Sequence, residues 1–142
     1  MRVAVTGASG LIGTALCTSL EGDGHTVLRL VRRETANPSE VTWNPATGDV
    51  DLAALANVDA IVHLAGAGVG DHRWSEEYKQ EIRSSRVLGT TTIASAAAAL
   101  DPKPAVLVCA SAIGYYGDRG DEKLTEQSSK GTGFLSDVVA DW

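Results

Sequence analysis

Short apolar runs and longer segments with helical spacing alternate along the chain. The short runs are typical of strands buried in a sheet, and the longer segments repeat apolar residues at the spacing of a helix with one buried face. This alternation predicts an α/β fold with a doubly wound parallel sheet, because crossover helices cover both of its faces. The predicted order is strand 2–6, helix 11–22, strand 26–31, strand 41–43, short helix 52–56, strand 60–64, helix 75–100, strand 105–110 and helix 134–142.

The connection between the first strand and the first helix is rich in glycine, with Gly7, Gly10 and Gly13 at equal spacing. Gly7 allows a tight turn, Gly10 lets a phosphate approach the backbone, and Gly13 lets the helix lie close to the sheet. Backbone N–H groups and the positive end of a helix dipole then predict a dinucleotide pyrophosphate site. The alternative is a junction without a ligand, because the spacing GxxGxxG differs from the standard GxGxxG fingerprint. The predicted cofactor contacts in this turn are Gly7, Ser9, Gly10, Leu11, Ile12 and Gly13.

The second strand ends in Val31, Arg32 and Arg33. A site that prefers NAD commonly carries an acid near this point for the ribose 2′-hydroxyl. Guanidinium groups suit a 2′-phosphate instead, so these residues favour NADP(H) as the cofactor. Glu34 follows directly and keeps NAD(H) as an alternative, and a further alternative is that both arginines are solvated charges at the strand end.

Composition narrows the class of protein. The chain has 142 residues, which is enough for one domain. Its net charge is −6, and it has no basic stripe that would bind nucleic acid. Neither a secretory leader nor a membrane-spanning apolar run is evident, so we expect no membrane partner. Cys17 and Cys109 are predicted to be buried, reduced thiols, which favours the cytoplasm. His72 beside Asp71 is too little for a metal site, and no metal is predicted.

Three segments together resemble a known family. They are the glycine turn at residues 6–13, Val62-His63-Leu64-Ala65-Gly66, and the serine- and tyrosine-containing segment 111–117. The chain resembles the extended short-chain dehydrogenase/reductases, and within them an atypical branch of epimerase-family proteins. The resemblance implies a Rossmann-like sheet with strand order 3-2-1-4-5, truncated before the C-terminal strands. It also implies an incomplete NAD(P)-binding domain over residues 1–142. The further cofactor contacts that it implies are Leu64, Ala65, Gly66, Glu81, Arg86 and Ser111.

The catalytic pair of the wider family is missing. That family places Tyr and Lys four residues apart on the helix after the fifth strand, where the ammonium favours the phenolate. Here the corresponding segment, 134–139, contains neither residue. Ser111 and Tyr116 are the candidate catalytic groups, with Tyr115 as the neighbouring hydroxyl, and the alternative is that all three only shape the turn.

The resemblance implies an NADP(H)-dependent oxidoreductase or epimerase whose substrate stays open, with a nucleotide-sugar-like molecule as one candidate. Members of the family are longer than this chain and carry a substrate-binding lobe in their second half, so we interpret the chain as an N-terminal part. The alternative function is a non-catalytic dinucleotide-binding or redox-sensing module, which the missing Tyr–Lys pair favours. A homodimer is possible.

Overall fold

A computed structural model describes all residues, 1–142. Strands and helices alternate as the sequence predicts, and Ser75 caps the longest helix by accepting a hydrogen bond from the Tyr78 N–H at 3.2 Å. No helix is both long enough and apolar enough to cross a membrane. The elements are β1 (Arg2–Thr6), α1 (Leu11–Gly22), β2 (Thr26–Val31), β3 (Glu40–Asn44), β4 (Asp49–Val50), β5 (Ala60–His63), α2 (Glu76–Ala99), β6 (Val106–Cys109), a 3₁₀ helix (Ile113–Tyr116) and α3 (Phe134–Asp141).

The six strands form one sheet in the order β4-β3-β2-β1-β5-β6. Five of these strands are parallel, in the spatial order β3, β2, β1, β5 and β6. This arrangement confirms the predicted order 3-2-1-4-5 and the Rossmann-like fold class. Strand β4 was not predicted, and it pairs antiparallel with β3 through Trp43 and Val50. A strand of two residues is too short to show an apolar period, so only its pairing reveals it.

Apolar side chains cover both faces of the sheet. On one face, α1 packs through Cys17 against Val3, Val5 and Val27. On the other face, α2 packs through Ile93 in a larger cluster with alternate residues of the same strands. Because successive side chains of a strand point to opposite faces, the nearly continuous apolar runs of β1, β2 and β5 are explained by burial on both sides.

Two local expectations are wrong. The segment 52–56 forms consecutive turns and not a helix, because Asp51 accepts the Ala54 N–H at 3.0 Å and Asn57 has a positive φ of 59°. Cys109, which was expected to be buried, is exposed, although both cysteines are free thiols as expected. Its exposure follows from the place of β6 at the edge of the sheet, where only one neighbouring strand covers the backbone.

Candidate functional site

The turn between β1 and α1 requires glycine at two points. Gly7 has a φ of +67°, and a Cβ there would lie 2.9 Å from the Ala65 nitrogen. A Cβ on Gly13 would overlap the Gly7 carbonyl oxygen and lie 2.8 Å from the Ala8 Cα. The Gly10 N–H closes the turn on the Gly7 carbonyl at 3.0 Å. The turn therefore packs the start of α1 directly against the ends of β1 and β5, as the glycine spacing predicts.

The first turn of α1 has unused backbone donors. Gly10 is its N-cap and provides no side-chain cap, and the first turn contains no acidic residue. The N–H groups of Leu11, Ile12 and Gly13 have no hydrogen-bond partner within the chain. Leu11 is 93% exposed and its side chain is apolar, so the predicted contribution of Leu11 to an anion site is through its backbone. Free N–H groups at a helix N-terminus suit a phosphate.

A cleft of about 1030 Å³ lies over this turn, at the carboxyl ends of the parallel strands. This is the edge of an open α/β sheet where ligands bind, and the volume suits a large organic ligand. Of the predicted cofactor contacts, ten line the cleft: Gly7, Ser9, Gly10, Val31, Arg32, Arg33, Leu64, Ala65, Gly66 and Glu81. The other five do not line it: Leu11, Ile12, Gly13, Arg86 and Ser111.

Trp43 had two alternative roles in the sequence, as core or as cover for an adenine. Its ring is buried in the α2-side core and also forms part of the cleft wall. The remaining wall comes from residues that the sequence gave no reason to select, because their positions depend on strand order and helix orientation. These are Ala8, Thr14, Cys17, Thr18, Arg29, Leu30, Glu40, Pro45, Ala67 and Ser85.

Three arginines line the cleft, and they differ in their partners. Arg29 pairs with Glu21 at 2.6 Å. Arg33 pairs with Glu40 through two hydrogen bonds of 2.6 and 2.8 Å. Arg32 is exposed and makes no hydrogen bond or ion pair within the chain. Arg32 is therefore the guanidinium in the cleft that is free to bind an anion.

Thr6 and His63 join the ends of β1 and β5 beneath the cleft. The Thr6 hydroxyl oxygen accepts the N–H groups of Leu64 and Ala65 at 3.1 and 3.2 Å. Its hydrogen is then donated to His63 Nδ1 at 2.7 Å, which assigns the ring proton to Nε2. His63 is 1% exposed, and burial lowers its pKa to about 4, so the ring is neutral at physiological pH. His63 is thus a packed strand residue, and its hydrogen bond with Thr6 helps position the cleft wall.

Glu81 and Arg86 lie on the same helix but in different surroundings. Glu81 lines the cleft, whereas Arg86 donates to the Ala67 and Ile82 carbonyl oxygens at 2.9 and 3.0 Å. The Arg86 guanidinium also lies 5.3 Å from the centre of the Trp142 ring. Arg86 therefore braces the segment after β5 against α2 and α3, and it makes no ion pair with Glu81.

Ser111 and Tyr116, the candidate catalytic groups, lie away from this cleft. They line a smaller cavity of about 540 Å³ with Ala112, Ile113, Tyr115, Val139 and Ala140. The rings of Tyr115 and Tyr116 meet edge to face with their centres 5.3 Å apart. Neither candidate hydroxyl has a hydrogen-bond partner in the chain, so both are available to a molecule in this cavity.

Apolar packing fills the region where the wider family would carry Tyr and Lys. Val138 is buried with Tyr78 and Ile82, and Phe134 packs against the same cluster. The Tyr78 hydroxyl donates to the Gly68 carbonyl oxygen at 2.5 Å, and burial raises the pKa of this phenol. Tyr78 is therefore held as a neutral structural donor.

A family model for the NAD dependent epimerase/dehydratase family matches residues 3–133. The chain belongs to this family. The curated Epimerase family protein Mb2239 of Mycobacterium bovis is 47% identical over 140 residues, which are 99% of this chain and 46% of that protein. The chain thus spans about half the length of the curated relatives that it matches.

Two solved structures of epimerase-family proteins have the same fold. The nucleoside-diphosphate sugar epimerase from Corynebacterium glutamicum superimposes with a TM-score of 0.84 at 40% identity, covering 100% of this chain and 29% of that one. The human epimerase family protein SDR39U1 (isoform 2), solved with NADPH, superimposes with a TM-score of 0.86 at 31% identity. The match covers 100% of this chain and 47% of that one.

Proposed function

We propose that the chain is the NADP(H)-binding part of an epimerase-type oxidoreductase, with a nucleotide-sugar-like substrate. One observation carries the cofactor preference, namely that Arg32 is unpaired at the rim of a glycine-turn cleft. The NADPH in the human SDR39U1 structure supports the same cofactor, and the name of the C. glutamicum relative supports the substrate class. Two free cysteines support a cytoplasmic location.

Residues of the chain fit each part of such a cofactor. The N–H groups at the start of α1 would bind the pyrophosphate, which Gly10 would allow to come close to the backbone. Arg32 would bind the 2′-phosphate. When bound, the nicotinamide ring supplies reversible hydride transfer. Ser111 and Tyr116 would donate hydrogen bonds to a substrate oxygen from the smaller cavity.

Cofactor titration tests this proposal directly. We expect the protein to bind NADPH more tightly than NADH. Arg32→Met should lower the affinity for NADPH by about tenfold and leave the affinity for NADH nearly unchanged, because only NADPH has the charged 2′-phosphate. Isothermal titration calorimetry measures both constants. Arg119→Met is the matched control, since Arg119 pairs with Glu122 outside the cleft. Equal losses for both cofactors would rule out the 2′-phosphate assignment.

A non-catalytic dinucleotide-binding module is the second candidate function. The absence of Tyr and Lys from the segment 134–139 favours it, and Phe134 and Val138 of this segment pack in an apolar cluster. A turnover assay separates the two candidate functions. It monitors NADPH absorbance while a protein that includes the second half of the longer relatives is given a panel of sugar nucleotides and small carbonyl compounds. Tight NADPH binding without turnover would support the module, and turnover that falls in Tyr116→Phe would support the oxidoreductase.

A further inference from the structure

Arg33 is held by one carboxylate with two-point geometry. Its Nη2 and Nη1 atoms donate to the two oxygens of Glu40 at 2.6 and 2.8 Å, and Nη1 also donates to the Glu34 carbonyl oxygen at 2.8 Å. Planar guanidinium and carboxylate groups match best in this arrangement. Both side chains line the cleft, next to unpaired Arg32.

Glu40 also fixes the loop between β2 and β3. Its second carboxylate oxygen accepts the Ala36 N–H at 2.7 Å, so one carboxylate joins the end of β2, the loop and the start of β3. The Glu40 side chain is only 8% exposed, whereas that of Arg33 is 59% exposed. Hydrogen bonds from Arg33 and Ala36 lower the pKa of Glu40 to about 2, so the carboxylate is charged at neutral pH.

We infer that Glu40 restrains the 2′-phosphate subsite: it holds Arg33 away from the bound 2′-phosphate and fixes the loop, so that Arg32 alone recognises this phosphate. The inference rests on the proposed function and adds a positioning residue to it. It differs from the simplest interpretation of the sequence, in which both adjacent arginines bind the phosphate.

The physical reason is the cost of separating the pair. If Arg33 turned toward a ligand phosphate, Glu40 would lose two charge-assisted hydrogen bonds and remain as a largely enclosed, unpaired carboxylate. That carboxylate would also lie in the wall of the cleft and repel the phosphate. Arg32 has no partner to lose, so its contact with a phosphate carries no such cost.

The decisive variant neutralises the pair together. We expect Arg33→Met/Glu40→Gln to keep the NADPH-to-NADH affinity ratio of the parent protein within about twofold, because Arg32 still recognises the phosphate. Arg32→Met, measured alongside, should lower that ratio by about tenfold. Calorimetric titration gives the constants, and circular dichroism against temperature checks that each variant folds. Loss of the ratio in the double variant would show that Arg33 contacts the phosphate and would overturn the inference.

The single variant Glu40→Gln tests the restraint itself. A neutral amide holds Arg33 less strongly, so we expect NADPH affinity to rise a few fold with NADH unchanged. The rise should be absent in Arg33→Met/Glu40→Gln, where no Arg33 guanidinium is left to be released. Equal losses for both cofactors in Glu40→Gln and in the double variant would overturn the inference in favour of a simple loop brace. If the parent protein binds neither cofactor, it is the proposed function that fails.

Discussion

At the scale of single residues, partners decide which charged groups are available. Arg32 and Arg33 are adjacent and identical in type, yet only Arg33 has a carboxylate within reach. Arg86, a predicted cofactor contact, braces the segment after β5. His63 shows that surroundings also decide the state of a titratable group, because its burial keeps the ring neutral.

The buried His63 predicts a pH dependence of stability. Its pKa is lowered to about 4 in the folded chain, so between about pH 6.5 and 4 the unfolded chain binds the extra proton. Stability is therefore complete above pH 6.5 and falls as the pH drops through this window, by up to about 3 kcal/mol. Urea unfolding at pH 7.0, 6.0 and 5.0 measures the fall.

His63→Asn is the matched variant, since an amide oxygen can accept a hydrogen bond from the Thr6 hydroxyl and the amide group does not titrate. We expect this variant to be less stable at pH 7 but nearly independent of pH from 7 to 5. Glu40 contributes only below this range, because its unpaired pKa is itself near 4.5. If the free energy of unfolding of the variant depended on pH as steeply as that of the parent protein, His63 would be excluded as the source of the pH dependence.

At the scale of elements, the turn between β1 and α1 depends on close packing. The same helix contains Gly13 near its start and Gly22 at its end, and the two have different surroundings. A Cβ at Gly13 would overlap backbone atoms of the turn, whereas nothing lies within 4 Å of a Cβ at Gly22. The first glycine is required by packing, and the second is not.

Gly13→Ala and Gly22→Ala form a matched pair of substitutions. We expect Gly13→Ala to destabilise the chain by about 2 kcal/mol or more, since α1 must move off the turn. That movement should also weaken dinucleotide binding. Gly22→Ala should change stability by less than about 1 kcal/mol, and in the stabilising direction, because it lowers unfolded-state entropy. Thermal unfolding and cofactor titration measure both effects, and equal behaviour of the two variants would contradict the packing argument.

At the scale of the whole molecule, burial falls across the sheet toward β6. Val5, Val62 and Val108 lie in one row because they are register partners in neighbouring strands. Val5 is fully buried under the α1-side cluster, while Val108 is 49% exposed. Helix α1 covers β1 and β2, and no helix of the chain packs over β6 on this face.

Because burial falls along this row, the same Val→Thr substitution should lower the free energy of unfolding more at Val5 than at Val108. Val5→Thr places a hydroxyl in a closed apolar cluster and should cost about 1–3 kcal/mol. In this chain Val108→Thr leaves the hydroxyl in water and should cost less than about 0.5 kcal/mol. Urea unfolding of the two variants gives the difference, and equal costs would mean that β6 is covered in solution.

The sequence by itself determined the features that depend on neighbouring residues. The alternation of strands and helices and the glycine turn are local, and apart from the segment 52–56 and β4 each is found where it was predicted. The Gly-rich turn and the strand end at Val31, Arg32 and Arg33 are therefore the parts of the candidate site that the residues alone could predict.

Tertiary structure decided the features that depend on residues distant in the chain or on the place of a strand in the sheet. The parallel register of β2 and β3 sets Arg29 beside Glu40, which brings this carboxylate to Arg33 and leaves Arg32 free. The edge position of β6 exposes Cys109. Register and edge position arise only when all strands assemble, so no local pattern of residues could specify which arginine is available for binding.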